Sequence, residues 1–299
     1  MNYSPYLLLI LANLFFGCNI IVAKLVTKVI PPITLTFLRW LGSLLILLPF
    51  CWREIRTNWR FYLSRWPLIL ILGSIGYSLN TILAYESVRY STAINVSFIN
   101  AFMPIMVAVA GYVLYREPIT GLQFTGFILS LTGVLWIIFQ GDWMHLVRFK
   151  ANTGDLFMVL NVLTWPLFPV LYKYKASDWP RLPMLAWMIF AGLLVAIPPV
   201  IIENLIFNGV WVGQVRWIHI IGILGLAIFP SILANQFQNT ALKYVPVSKV
   251  SIFQSLIPVF ASLIAVIFLG EKFYLYHACG GFLILVGVFL VIRPDRRTT

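Results

Sequence analysis

Ten runs of about twenty predominantly apolar residues follow one another along this chain, at roughly 6–27, 32–51, 67–88, 93–115, 121–139, 155–174, 182–203, 217–241, 247–269 and 274–292. A helix needs a run of that length to cross the hydrocarbon core of a bilayer. Of the 299 residues, 61% are hydrophobic and only 10% are charged. A soluble domain carries about a quarter charged residues, so this chain lacks the charge to cover a water-facing surface. The expectation is an all-α, polytopic membrane protein with ten transmembrane helices. The longest connections, 52–66, 141–154 and 204–216, read as loops too short to hold a soluble domain.

The net charge of +12 would suggest a nucleic-acid partner in a soluble protein. Here the basic residues flank the apolar runs, so the reading is a lipid bilayer and no nucleic acid. With ten spans both termini share a side. Loops and tail on that side hold thirteen basic residues against seven on the other, leaving out Arg39 within the second span. The positive-inside rule then places both termini in the cytoplasm of a cell inner (plasma) membrane. Seven of the eleven Trp, among them Trp52, Trp66, Trp179 and Trp217, stand near span ends, where interfacial aromatics belong. Cys18, Cys51 and Cys279 are far apart and form no metal or redox spacing. The first apolar run lacks a basic leader and a cleavage site, and reads as a retained helix.

The chain also repeats itself. Residues 88–138 align without a gap with 242–292, 154 positions on. Tyr90 meets Tyr244, Ser97 meets Ser251, Pro104 meets Pro258, Glu117 meets Glu271, Gly126 meets Gly280 and Gly133 meets Gly287. Fainter matches pair Asn13 with Asn161 and Pro49 with Pro198. Each copy holds five spans, so the second enters the membrane inverted relative to the first. Inverted repeats build transporters whose substrate site lies near the midplane, where the halves meet. The expected division is a first repeat at 1–140, a linker at 141–153, a second repeat at 154–293 and a cytoplasmic tail at 294–299.

The pattern resembles the drug/metabolite transporter superfamily, in particular its EamA-type ten-helix members. The residues that carry the likeness are Pro32…Phe37-Leu38-Arg39-Trp40, then Ala84-Tyr85…Tyr90…Ala93…Pro104…Glu117…Gly126…Gly133, and in the second half Ala241-Leu242-Lys243-Tyr244-Val245-Pro246…Pro258…Gly270-Glu271…Gly280…Gly287. Arg116 stands before Glu117 where the family usually has Gly. The resemblance covers essentially the whole chain. It implies a secondary carrier, and it leaves the substrate open among amino acids and other metabolites, with export, import and exchange all represented.

Polar side chains at membrane depth are costly and mark either function or interhelical hydrogen bonding. Ser97-x-x-Asn100-x-x-x-Pro104 in the fourth span is repeated as Ser251-x-x-Gln254-x-x-x-Pro258 in the ninth. These spacings share a helix face. Each Pro should free the carbonyl four residues back, that of Asn100 or Gln254, to line a cavity beside its amide. Asn235, Gln238 and Asn239 share a face of the eighth span; they line a cavity or lie near the cytoplasmic end. Asn13 and Asn161 stand near the middle of matching spans, with Trp165 one turn beyond Asn161, and Tyr77 and Asn80 share a face of the third span. Arg39 holds a substrate carboxylate or fixes helix ends. Lys24 and Glu86 near span ends, with Pro104 and Pro258, are the gating or coupling candidates. No carboxylate or His sits at a span centre, which leaves Glu86 as the best proton-coupling candidate and makes diffusion or exchange the simpler reading.

No nucleotide-binding, protease or hydrolase motif is present, and no channel filter. The expectation is therefore no enzyme, no cofactor and no metal. The function expected is transport of a small polar metabolite, foremost export of an amino acid or amine by alternating access. The alternatives are import or exchange of a nucleoside, cofactor or drug-like cation, suited to Tyr77, Tyr85 and Trp165, and a membrane assembly protein without transport. The oligomeric state is left open.

Overall fold

The computed structural model describes residues 4–91, 93–142, 144, 152–206, 209–269 and 272–293. Ten of its helices are long and apolar enough to cross a membrane: Pro5–Ala23, Pro32–Thr57, Trp66–Ala84, Asn95–Tyr115, Gly121–Ile138, Thr153–Ala176, Arg181–Ile206, Trp217–Tyr244, Val247–Phe268 and Leu275–Ile292. They are called spans one to ten below. Each coincides with one of the ten apolar runs. An even number of crossings puts both ends on one face, the terminal face. Gly270, Glu271 and the tail 294–299 lie outside the described residues, as does the side chain of Lys24.

Local chemistry sets the span ends. Pro stands in the first helical turn of spans one, two and three, where its missing N–H costs nothing. Span five starts from a capping box in which Thr120 and Gln123 bond each other's backbone N–H at 3.3 and 3.2 Å. Span six starts from another, Asn152 with Asp155, at 3.1 and 2.8 Å. Two expected loops carry helix instead. Span two runs on past its apolar stretch to Thr57 and is followed by the helix Trp59–Ser64. Segment 204–216 contains the end of span seven and the 3-10 turn Val210–Gln214. Helices do not stop where hydrophobicity stops, because Trp, Arg and Glu are helix-compatible in the interface.

The spans pair in a pattern consistent with an inverted repeat. Spans one and nine pack together, as do four and six; one with eight, as three with six; two with eight, as three with seven. Spans two and seven pair with each other, and so do five and ten. The last pair explains the duplicated glycines. Spans five and ten run antiparallel, so Gly126 lies against Gly287 and Gly133 against Gly280. A Cβ added at Gly126 would stand 2.6 Å from the Gly287 carbonyl oxygen, and one at Gly133 would stand 2.5 Å from that of Gly280. Small residues allow such backbone approach where lipid offers no hydrophobic drive for association.

Gly126→Ala is therefore expected to destabilise the protein by about 1–3 kcal/mol through overpacking, whereas Gly121→Ala, whose Cβ meets nothing within 4 Å, should be neutral. Melting temperatures in detergent check this. Equal values for the two variants would contradict the packing described.

Candidate functional site

An aromatic row crosses the middle of the bundle. Trp40 of span two meets Tyr77 of span three edge-on at 4.7 Å between ring centroids, and Tyr77 meets Phe168 of span six at 5.5 Å. Trp165 lies beside Phe168 at 6.4 Å. Tyr77 sits on a π-helical turn, Ser74–Leu79, and Ser78 on the same turn donates to the Gly192 carbonyl of span seven at 2.5 Å. Span eight carries its own π segment, Ala227–Ala234. There Pro230 deprives the Leu226 carbonyl of its usual donor, and the Ser231 hydroxyl supplies one at 2.8 Å. The Asn235 amide donates to the carbonyls of Pro230 and Ser231, both at 3.0 Å. Wide turns of this kind gather at functional sites in helical proteins.

Several polar atoms of the bundle, some of them in this row, are buried and unpaired. Tyr77 Oη, Trp40 Nε1, Asn239 Oδ1 and Asn13 Oδ1 make no regular hydrogen bond, although the Tyr77 hydroxyl faces the Asn239 amide. Asn13 is 2% exposed and Asn239 is 3% exposed. An unpaired buried polar group costs about 1–3 kcal/mol, and such groups are exceptions in native proteins. A cavity of about 10 Å³, lined by Thr36, Trp40, Tyr77, Ser78 and Thr81 among others, adjoins the row. That is room for a single water. The Arg39 guanidinium stands 4.8 Å from the Trp40 ring centre and donates to Asn19 Oδ1 at 2.9 Å.

The structure brings some of the expected residues together. Asn80 and Asn161 bond reciprocally: Asn80 Nδ2 donates to Asn161 Oδ1 at 3.0 Å, and Asn161 Nδ2 donates to the Asn80 carbonyl at 2.5 Å. Asn13, the repeat counterpart of Asn161, spends its amide N–H on the Leu9 carbonyl of its own helix at 2.7 Å. Gln238 is buried on span eight, while Asn235 is half-buried and turned to its own backbone. Glu86 is half-buried on the helix Asn80–Tyr90.

The repeated Ser-amide-Pro elements differ from expectation. Span four breaks after Asn100, passes a turn at Ala101 and Phe102, and restarts at Met103 with Pro104 in its first turn. Span nine tightens into a 3-10 turn, Phe253–Leu256, and restarts before Pro258. The Gln254 carbonyl is not freed, because that tightening turns the Ile257 N–H onto it. Ser251 is buried with its hydroxyl 3.0 Å from the Pro104 carbonyl and 2.9 Å from that of Ser248, so it ties spans nine and four together. Ser97 and Gln254 are half-buried, and the Asn100 side chain is exposed.

Three carboxylates at span ends proved to be buried structural centres. Glu203 accepts from the N–H groups of Ile33 and Thr34 at 3.0 and 2.6 Å and from the Thr34 hydroxyl at 2.7 Å, capping span two. Asp155 accepts from Ser91 and Asn95 and helps cap span six. Glu117 meets Lys173, Tyr174 and the start of span nine. Their position near span ends was visible in the sequence, but their partners lie up to 170 residues away.

The two halves of this bundle, residues 3–139 and 152–293, each match the model of the EamA-like transporter family. The chain belongs to the EamA-like transporter family. It is thus a multi-pass membrane transporter and not an enzyme. An uncharacterized transporter of Archaeoglobus fulgidus is 25% identical over 302 residues, covering 99% of this chain and all of that one. The uncharacterized transporter YyaM of Bacillus subtilis is 25% identical over 240 residues, covering 77% of this chain and 75% of that one. A protein of known crystal structure shares the fold with a TM-score of 0.76 at 15% identity, over 97% of this chain and 96% of that chain.

In this EamA-like transporter the Asn80–Asn161 pair joins spans three and six across the repeat boundary. Asn80→Ala and Asn161→Ala should each cost about 1–3 kcal/mol by stranding a buried amide. A double-mutant cycle on unfolding should give a coupling above about 0.5 kcal/mol. Additive losses would mean that the two amides do not bond.

Proposed function

We propose that this protein is a carrier of the cell inner membrane, with both termini in the cytoplasm, that exports an amino acid or amine. Its two inverted five-helix repeats alternate access to a midplane site. The observation that carries the reading is the set of unpaired buried polar atoms within the spans, three of them at the aromatic row. Asn13 Oδ1 and Asn239 Oδ1 are acceptors, and Tyr77 Oη is an acceptor as well as a donor. Acceptors call for N–H donors, which an ammonium group supplies, and aromatic faces favour a cation nearby. Trp40 Nε1 offers a donor to a carboxylate, with the Arg39 cation adjacent. A zwitterion with an organic side chain answers all of these.

A second reading is import or exchange of a ring-bearing cation, favoured by the Trp40, Tyr77 and Phe168 rings standing in one row. Counterflow in proteoliposomes, with amino acids, amines, nucleosides and quaternary ammonium compounds as tracers, separates the two. Exchange of amino acids or primary amines is expected. Exchange confined to nucleosides or quaternary amines would establish the second reading, and exchange of no tracer would count against both.

For the transported compound, Asn239→Leu should lower exchange about ten-fold or more, the worth of one hydrogen bond to a charged group. Asn100→Ala and Gln254→Ala should each lower it without lowering the melting temperature. Unchanged exchange in all three would remove these amides from the pathway.

A further inference from the structure

Span four ends in a clamp that the transport chemistry above does not use. Arg116 adopts the left-handed backbone conformation, φ 56°, which non-glycine residues seldom take. That turn brings the Glu117 N–H back toward the Gly111 carbonyl at 3.3 Å and places the Glu117 carboxylate in the bundle, 7% exposed. Its Oε2 accepts from the Val247 N–H at the start of span nine at 2.9 Å. Its Oε1 accepts from the Tyr174 hydroxyl at 2.5 Å and pairs with the Lys173 ammonium at 2.8 Å. Lys173 also donates to the Val245 carbonyl at 2.9 Å, and the Tyr115 and Tyr174 rings stack at 3.8 Å. Every partner of the carboxylate side chain belongs to the second half of the chain, so the clamp holds span four of the first half to spans six and nine of the second.

The clamp lies at the terminal face. The helix Met103–Tyr115 packs on Val247–Ile252, and Leu167–Ala176 packs on Asn235–Tyr244, both toward the terminal face. Exchanging the two halves maps these contacts onto Ile257–Leu269 with Ala93–Asn100, and onto Pro5–Val26 with Asn80–Tyr90. Among the described residues neither of these pairs forms a comparable interface. At the terminal face span four thus meets span nine and span six meets span eight, whereas at the opposite face, where Glu203 and Asp155 hold the halves together, the counterpart pairs stay apart and Asn100 is exposed.

We infer that Glu117, with Lys173 and Tyr174, is the latch of the terminal-face gate, which must release for the site to open to that side. The inference rests on the transport reading. A carboxylate that bonds two second-half side chains and a helix start in one access state, and loses them in the other, biases the equilibrium by that difference. These are positioning residues that act on the gate and not on the substrate.

The test uses the full chain in proteoliposomes with Cys18, Cys51 and Cys279 replaced and a single reporter, Ser248→Cys. Ser248 is 1% exposed at the terminal-face start of span nine. Labelling by a membrane-impermeant maleimide from the terminal side should accelerate about ten-fold or more in Glu117→Gln, as an equilibrium loses an ion pair. Tyr174→Phe keeps the ring stack and should shift labelling the same way by less; it also serves if Glu117→Gln does not fold. Unchanged labelling in the folded variants overturns the latch. A Tyr115→Cys/Tyr174→Cys pair, oxidised, should stop counterflow, and reductant should restore it. Undiminished counterflow in fully cross-linked protein overturns the latch as well. The labelling needs no substrate, so reduced protein that exchanges no tracer counts against the transport reading alone.

Discussion

No water reaches the hydrocarbon core of a bilayer, so every backbone N–H and C=O of a span needs a partner inside the protein. That single requirement makes each apolar run a helix. It also makes every irregularity visible, because a helix that departs from α geometry must re-partner its groups. Mid-span departures in spans eight, nine and three are answered in this way. Ser231 takes the Leu226 carbonyl, Asn235 takes those of Pro230 and Ser231, and a 3-10 turn takes that of Gln254. In span three, where a π turn precedes Asn80, Asn161 reaches across to the Asn80 carbonyl. The irregular turns and the intramembrane amides thus occur together for a physical reason. The Asn239 oxygen left over, with Tyr77 and Trp40, makes the polar centre on which the proposed substrate class rests.

Charge is handled by the same accounting at the span ends. Glu203 and Glu117 bury their carboxylates against the first N–H groups of spans two and nine, where the helix dipole and free donors favour an anion. Each joins elements far apart in sequence. Glu203 adds only neutral donors, whereas Glu117 also meets a Lys and a Tyr, which gives its end of the bundle a contact that can be broken as a unit.

The duplication in the sequence does not yield identical environments. The glycines of spans five and ten meet each other in matched pairs, because they lie in an interface that exchanging the halves maps onto itself. The matched asparagines do not behave alike. Asn161 finds Asn80 in span three, while Asn13 turns to its own helix and leaves its oxygen open. A carrier whose halves took identical shapes would be equally closed or open on both faces. The unequal partners of equal residues are how two copies of one motif occupy different arrangements.

By itself the sequence determined the number, place and length of the spans, since about twenty apolar residues without charge have one stable form in lipid. It determined the duplication, with its repeated glycines, and the family. It read Asn80, Asn161 and Tyr77 correctly as intramembrane polar residues, because their cost in lipid is a local property. It did not read the continuation of span two to Thr57, where interfacial residues keep a helix going without hydrophobicity. Nor did it read the 3-10 turn that occupies the Gln254 carbonyl, which depends on how span nine packs and not on Pro258 alone. Only the tertiary structure decided which amides are paired and which are left open. It also decided that Ser251 ties two spans together, and that Glu117 meets partners from the other half. A hydrogen bond depends on distances of a few tenths of an ångström between residues some hundred positions apart, and no local pattern in the chain carries that information.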